Sequence, residues 1–112
     1  MTIKDIEYAK KVIAEKFPLI LKKDVKKIIM YGSCARKDYG ENSDIDIAVL
    51  TDCDRVAAKD YDDKLMDVVT DIAMDSDAIV EYVCIPYNEF EAKKSWYLYF
   101  KNINAEGEVL YG

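Results

Sequence analysis

The chain opens with apolar residues at a helical spacing. Five of them recur three or four positions apart, at Ile3, Ile6, Ala9, Ile13 and Phe17. This spacing predicts an amphipathic helix that begins with a capping box formed by Thr2 and Asp5. Pro18 is expected to close the helix, because proline lacks the backbone N–H that a helix interior uses.

A short apolar run follows the helix. Residues 25–31 precede Gly32 and Ser33, and this order predicts a buried strand that enters a tight turn. The polar residues 37–43 then predict a loop.

Residues 44–50 alternate between two kinds of side chain. One face of the segment holds Ile45, Ile47 and Val49, and the other holds Asp44, Asp46 and Ala48. This period of two predicts a half-buried strand. The two aspartates are therefore expected to point the same way.

The rest of the chain favours a helix, a strand and a second helix. An apolar stripe comprises Tyr61, Leu65, Val68 and Ile72. It predicts an amphipathic helix within residues 55–74, and residues 79–85 predict another strand. Asn88 is expected to cap a final helix through about Ile103, and residues 106–112 then form a short tail.

Strands that alternate with helices, without an internal repeat or linker, predict one α/β or α+β domain over residues 1–112. A hydrophobic content of 51% suits one core of that size. The net charge of -6 disfavours direct binding of nucleic acid. No stretch approaches the roughly 20 apolar residues of a membrane span, and no signal peptide begins the chain, so a cytoplasmic protein without membrane contacts is expected.

Cysteine and histidine usage narrows the chemistry. Cys34, Cys53 and Cys84 are odd in number and lack a CxxC spacing, which disfavours a disulfide framework or a zinc site. Histidine is absent, which excludes His-activated nucleophiles and imidazole-based metal sites. A metal would need oxygen ligands, and these suit Mg²⁺ or Mn²⁺.

The most informative segment is residues 32–49, with the sequence GSCARKDYGENSDIDIAV. The small-residue turn at its start lets the backbone and a serine hydroxyl approach a phosphate closely, and Arg36 adds positive charge nearby. Asp44 and Asp46 follow on one face of a strand, close enough to share divalent cations.

This segment resembles the minimal nucleotidyltransferases of the DNA polymerase β superfamily, whose pattern is G-S-x-A-R-G, a short loop, and S-D-I-D-L. The matching positions are Gly32, Ser33, Ala35, Arg36, Ser43, Asp44, Ile45 and Asp46. Their combination at this spacing is specific, and the predicted elements follow the family's order. The tail at residues 100–111 is also similar to that of short bacterial members encoded beside a helical HEPN-domain protein.

The resemblance implies a small mixed sheet flanked by helices, the polymerase β-like palm, with a nucleotide site. Two Mg²⁺ ions, or Mn²⁺, would bridge the carboxylates and the triphosphate of ATP, and an acceptor hydroxyl would attack the α-phosphate. The implied nucleotide-binding residues are Gly32, Ser33, Arg36 and Ser43. Ser33 would hold the β- and γ-phosphates, and Arg36 would contact the triphosphate or brace the loop.

The family uses a third carboxylate on a later strand. Glu81 is the candidate, and Asp77 is the fallback. The implied catalytic and metal-binding residues are thus Asp44, Asp46 and Glu81. The chain departs from the family pattern at Glu81, where aspartate is commoner, and at Lys37, where the pattern has glycine. If position 37 needs a positive φ, the loop must differ, although lysine could also contact a phosphate.

Plainer interpretations stay open for each of these residues. Asp44 and Asp46 also fit the solvated face of a strand. Ser33 also fits a helix N-cap, and Arg36 fits a structural salt bridge. Glu81 also fits an exposed edge strand.

Two functions follow from the resemblance. The first is transfer of AMP from ATP to a hydroxyl, that of a tyrosine of a partner HEPN toxin, with this chain as the antitoxin. The alternative is a catalytically weak binding module that neutralises its partner sterically. Because the chain is short, another protein is expected to complete the cleft, in a homo-oligomer or a hetero-oligomer.

Overall fold

A computed structural model describes residues 1–40 and 42–112 of the protein. The helices are α1 (Ile3–Leu21), α2 (Ser33–Arg36), α3 (Arg55–Ala58), α4 (Asp62–Asp75), α5 (Tyr87–Lys93) and α6 (Leu98–Glu106). The strands are β1 (Val25–Tyr31), β2 (Ile45–Thr51), β3 (Val80–Pro86) and β4 (Glu108–Tyr111). Short 3-10 turns at Lys22–Asp24 and Lys59–Tyr61 connect α1 to β1 and α3 to α4.

The strands form one mixed sheet in the order β3-β2-β1-β4. β1 is antiparallel to both β2 and β4, whereas β2 and β3 are parallel. Helices flank the sheet, so the predicted fold class is confirmed.

The core lies on both faces of the sheet. One face packs on α1 and α4 through buried residues that include Ile13, Phe17, Ile47, Val49, Leu65 and Ile72. The other face packs on α5 and α6 through Ile29, Ala48, Leu50, Phe90, Phe100 and Ile103. The prediction of a half-buried strand at residues 44–50 was wrong in this respect, because β2 is an inner strand with helices on both sides and only Asp46 stays partly exposed.

The start of α1 follows the prediction, but its end does not. Thr2 and Asp5 form the predicted capping box, in which the Thr2 amide donates to Asp5 at 2.8 Å. Pro18 does not close the helix, which continues to Leu21. The Pro18 carbonyl still accepts from the Lys22 amide, and the fully buried Leu21 side chain stabilises the last turn.

Two predicted helices are each divided in the structure. The helix within residues 55–74 becomes α3, a 3-10 turn and α4, and the Asp54 side chain caps α3 by accepting from the Ala57 amide at 2.8 Å. The final helix becomes α5 and α6. This corner lets Phe90 and Phe100 enter the same core, with ring centroids 5.3 Å apart.

Two further boundaries differ from the prediction. α5 begins at Tyr87, so Asn88 is not a cap but lies inside the helix. The tail forms β4, which pairs with β1 through Ile29 opposite Val109 and Met30 opposite Glu108. In the part of the chain that the structure describes, no helix is long and apolar enough to cross a membrane.

Replacement of Ile103, which is fully buried on α6, tests the packing of that helix. We expect Ile103→Ala to lower the free energy of unfolding by about 2–5 kcal/mol, because it leaves a cavity under the sheet. Leu98→Ala on the same helix is the control, since this side chain is 68% exposed, and should change stability by less than about 0.5 kcal/mol. Equal urea midpoints for the two variants would contradict this placement of α6.

Candidate active site

The turn after β1 is formed by backbone hydrogen bonds across α2. Gly32 has φ +77 and occupies the N-cap position, and its carbonyl accepts from the Arg36 amide at 3.0 Å. Ser33 is the first helical residue, so its interpretation as the N-cap was wrong. We call residues 32–38 the phosphate turn, after the function proposed for it below.

Gly32 lies against the carboxylate of Asp46. β1 and β2 are antiparallel, with Tyr31 opposite Asp46, and the chain leaves β1 directly over that side chain. A Cβ at position 32 would overlap Asp46 Oδ2. Two constraints therefore require glycine at position 32: the positive φ and the close approach of the Asp46 carboxylate.

The three predicted carboxylates lie at one edge of the sheet. Asp46 of β2 is opposite Glu81 of β3 in the parallel register. Asp44 immediately precedes β2, and the adjacent Ile45 amide donates to the Ile79 carbonyl at 2.8 Å, which joins the starts of the two strands. The fallback residue Asp77 lies elsewhere, with its backbone beside the Asp5 carboxylate at the start of α1.

Negative charge accumulates at this edge. Burial raises the pKa of Asp46, and the charge of Asp44 adds to the effect while Arg36 opposes it. The pKa of Glu81 is also raised, first because its protonated form can hydrogen-bond to the Asp44 carboxylate and then by the charge on Asp44. Such groups favour a cation, and their oxygen ligands suit Mg²⁺.

The carboxylates do not enclose a complete metal site. Among residues 1–40 and 42–112, no three carboxylate or thiol side chains converge tightly enough to hold an ion alone. This geometry still fits Mg²⁺, which usually keeps several waters and takes substrate phosphate oxygens as further ligands.

Arg36 is held by two acidic residues. Its Nε donates to Asp38 Oδ2 and its Nη1 donates to Glu106 Oε1, both at 3.1 Å. Glu106 Oε1 also accepts from the Gly32 amide at 3.3 Å. Sequence reasoning missed Glu106, because 70 residues separate it from Arg36 and only its place in the family-like tail drew attention to it.

Ser43 and Cys34 hold the segment that leads to Asp44. The Ser43 hydroxyl accepts from the Gly40 amide at 2.9 Å, directly before Asp44 in the chain. The buried Cys34 thiol donates to the Asp44 carbonyl at 3.6 Å and joins α2 to the same segment. Ser43 therefore contacts the loop backbone.

Lys37 adopts the conformation that favours glycine. Its φ of 64 and ψ of 27 are left-handed, and its amide donates to the Ser33 carbonyl. The expectation that the loop must differ here was wrong, because lysine takes the strained conformation instead.

Tyr31 of β1 lies between the carboxylates and the aromatic residues of α6. The hydroxyls of Tyr31 and Tyr99 are 2.7 Å apart, and burial, Tyr99 and the negative charges of Asp46 and Glu81 raise the pKa of Tyr31. A groove of about 420 Å³ continues from Tyr99 along β3, and the exposed Trp96 forms part of its rim.

Comparison with known proteins agrees with this geometry. The model of the nucleotidyltransferase domain family matches residues 6–105. The chain belongs to this family. Its relatives include "Putative protein adenylyltransferase MJ0604" of Methanocaldococcus jannaschii, which is 34% identical over 87 residues. That match covers 78% of this chain and 79% of the relative. The protein is thus a nucleotidyltransferase, and the family implies a nucleotide substrate.

Substitutions at Gly32 and Gly40 allow a direct test of the close approach between position 32 and Asp46. We expect Gly32→Ala to lower the free energy of unfolding by about 2 kcal/mol or more, since the new Cβ would displace the Asp46 carboxylate at a positive φ. Gly40→Ala is the control, because a Cβ there meets nothing within 4 Å. If chemical denaturation gave the same cost at both positions, the close approach would be refuted.

Lys37 provides a second test of the turn. Lys37→Gly should raise the free energy of unfolding by about 0.5–1 kcal/mol, because glycine relieves the left-handed strain. The same change at Lys59, which has φ -61, should lower it by a similar amount. Urea denaturation measures both, and a loss of stability in Lys37→Gly would contradict the assigned conformation.

Proposed function

We propose that this nucleotidyltransferase moves AMP from ATP to a hydroxyl group of a protein. The observation that supports the proposal best is the edge at which Asp44, Asp46 and Glu81 meet the phosphate turn. An anion-binding turn in contact with a carboxylate is unfavourable in isolation, but it suits a substrate that carries both phosphates and divalent cations. The name of the archaeal relative supports a protein acceptor.

The phosphate turn would bind the triphosphate. Ser33 would donate its hydroxyl to the β- and γ-phosphates, and Gly32 would allow the phosphates to approach the backbone. Arg36 would both brace the turn and contact the triphosphate, because Asp38 and Glu106 use only its Nε and Nη1.

The three carboxylates would hold two Mg²⁺ ions, or Mn²⁺, with water and phosphate oxygens as the other ligands. When bound, these ions would lower the pKa of the acceptor hydroxyl and neutralise charge on the leaving pyrophosphate. Asp44, Asp46 and Glu81 would hold these ions at the edge of the sheet where the α-phosphate and the acceptor hydroxyl meet. The acceptor oxygen would bond to phosphorus as the bond to pyrophosphate breaks, and the hydroxyl proton would pass to one of these carboxylates or to solvent.

Ser43 would contribute to nucleotide binding through the loop. Its hydroxyl accepts from the Gly40 amide, and Ser43 directly precedes Asp44. In this role it sets the position of a carboxylate and does not itself contact the phosphates.

The acceptor we propose is a tyrosine of a HEPN-domain toxin encoded nearby, for which this chain would be the antitoxin. The resemblance in the motif and the tail supports this partner. β3 is an edge strand that carries Glu81, and the aromatic groove runs along its later residues Val83 and Ile85. A protein segment could reach the site from this side.

A binding module that masks its partner sterically is the second candidate. The observation that favours it is the position of Glu81, an exposed residue with a longer side chain than the family's usual aspartate. Lys37 no longer favours it, since the turn keeps the conformation of a glycine at that position.

Intact mass spectrometry distinguishes the two candidates. The protein is incubated with ATP, Mg²⁺ and the product of the adjacent gene, and we expect the partner to gain the mass of AMP. The double variant Asp44→Asn, Asp46→Asn should slow this transfer roughly a hundredfold or more, since it removes two cation ligands.

A matched control changes two exposed aspartates of α4, Asp67→Asn and Asp71→Asn, and should keep the wild-type rate. Transfer that persists in the Asp44, Asp46 variant would rule out the metal mechanism. An unmodified partner that is nevertheless neutralised would support the binding module.

A further inference from the structure

The Glu106 carboxylate lies between two hydrogen-bond donors of the phosphate turn. We propose that Glu106 is the positioning residue that fixes this turn, holding Gly32 and Arg36 in the arrangement that receives a triphosphate. The claim that this arrangement receives a triphosphate rests on the proposed nucleotidyl transfer. The claim that Glu106 fixes the turn does not.

Strand pairing explains why Glu106 reaches Gly32. β1 and β4 are antiparallel, with Met30 opposite Glu108. Continuing this register by two residues along each strand places Glu106 opposite Gly32. α6 ends at Glu106, and Gly107 permits the abrupt turn into β4, because a Cβ there would overlap the Ile29 side chain and the Ile103 carbonyl.

The Gly32 amide depends on this carboxylate. Gly32 follows directly after Tyr31, the last residue of β1, so its amide lies where the regular strand pairing ends. Glu106 Oε1 accepts this partly buried N–H at 3.3 Å. An amide left without a partner at such a place costs free energy, which would favour a different turn.

The same oxygen orients Arg36. Asp38 and Glu106 bind Nε and Nη1, which fixes the plane of the guanidinium. Within residues 1–40 and 42–112, Nη2 has no hydrogen-bond acceptor. A planar, anchored guanidinium with a remaining donor suits a phosphate oxygen.

The negative charge of Glu106 is unfavourable beside a triphosphate site, so its contacts with Gly32 and Arg36 need a reason. A carboxylate near a triphosphate repels it, and the side chain here is only 25% exposed. The Glu106 carboxylate favours triphosphate binding only if the ordering of Gly32 and Arg36 outweighs that repulsion. The proposal therefore predicts that removal of the negative charge weakens triphosphate binding, whereas simple electrostatics predicts that it strengthens binding.

The test compares Glu106→Ala and Glu106→Gln with Glu108→Ala. Glu108 is a suitable control because it lies two residues later and its carboxylate forms an ion pair with Lys10 of α1. Two readouts are used on the full chain: hydrogen exchange of the Gly32 and Arg36 amides without nucleotide, and the Kd of ATP with Mg²⁺. Urea denaturation checks that every variant remains folded.

We expect Glu106→Ala to speed exchange of the Gly32 amide about tenfold or more and to raise the Kd of ATP about tenfold. Glu106→Gln, which keeps an acceptor oxygen, should restore most of the amide protection and part of the affinity. Glu108→Ala should match the wild type in both readouts.

Unchanged exchange and unchanged or tighter ATP binding in Glu106→Ala would overturn the inference, as would equal effects in Glu108→Ala. If the wild type itself binds no ATP, the proposed function fails. The exchange data then still decide whether Glu106 fixes the turn.

Discussion

The site depends on the contact between Gly32 and the carboxylate of Asp46. The backbone at the start of α2 and an anionic side chain must lie within van der Waals distance of each other, which only a residue without a Cβ permits. The antiparallel pairing of β1 with β2 brings the two together, and the parallel pairing of β2 with β3 adds Glu81. Each pairing contributes one component of the site.

The distribution of charge along the chain agrees with this arrangement. Residues 1–37 carry a net charge of +6, and residues 38–92 carry -13. The boundary between the two segments falls inside the phosphate turn, and the fold places Gly32, near the end of the basic part, against the Asp46 carboxylate of the acidic part. The overall charge of -6 hides this division. A substrate that combines phosphates with Mg²⁺ can interact favourably with the basic part through its phosphates and with the acidic part through the cation.

The sequence predicted those features that depend on local pattern. The main strands and the start of α1 follow from periodicity and a capping box, and the motif named the carboxylates that the structure places at one edge. It did not predict the corner between α5 and α6, which depends on Phe90 and Phe100 packing together. It also missed β4 and Glu106, because their partners on β1 and the phosphate turn are distant in sequence.

The pairing of β4 with β1 has a consequence for synthesis of the protein. A ribosome produces Gly32 and Asp46 well before Glu106, and β4 leaves the exit tunnel later still. A nascent chain that lacks these residues cannot form the hydrogen bonds that they make to β1 and its turn. The order of translation thus delays these contacts, and the turn that they hold, until β4 has left the exit tunnel.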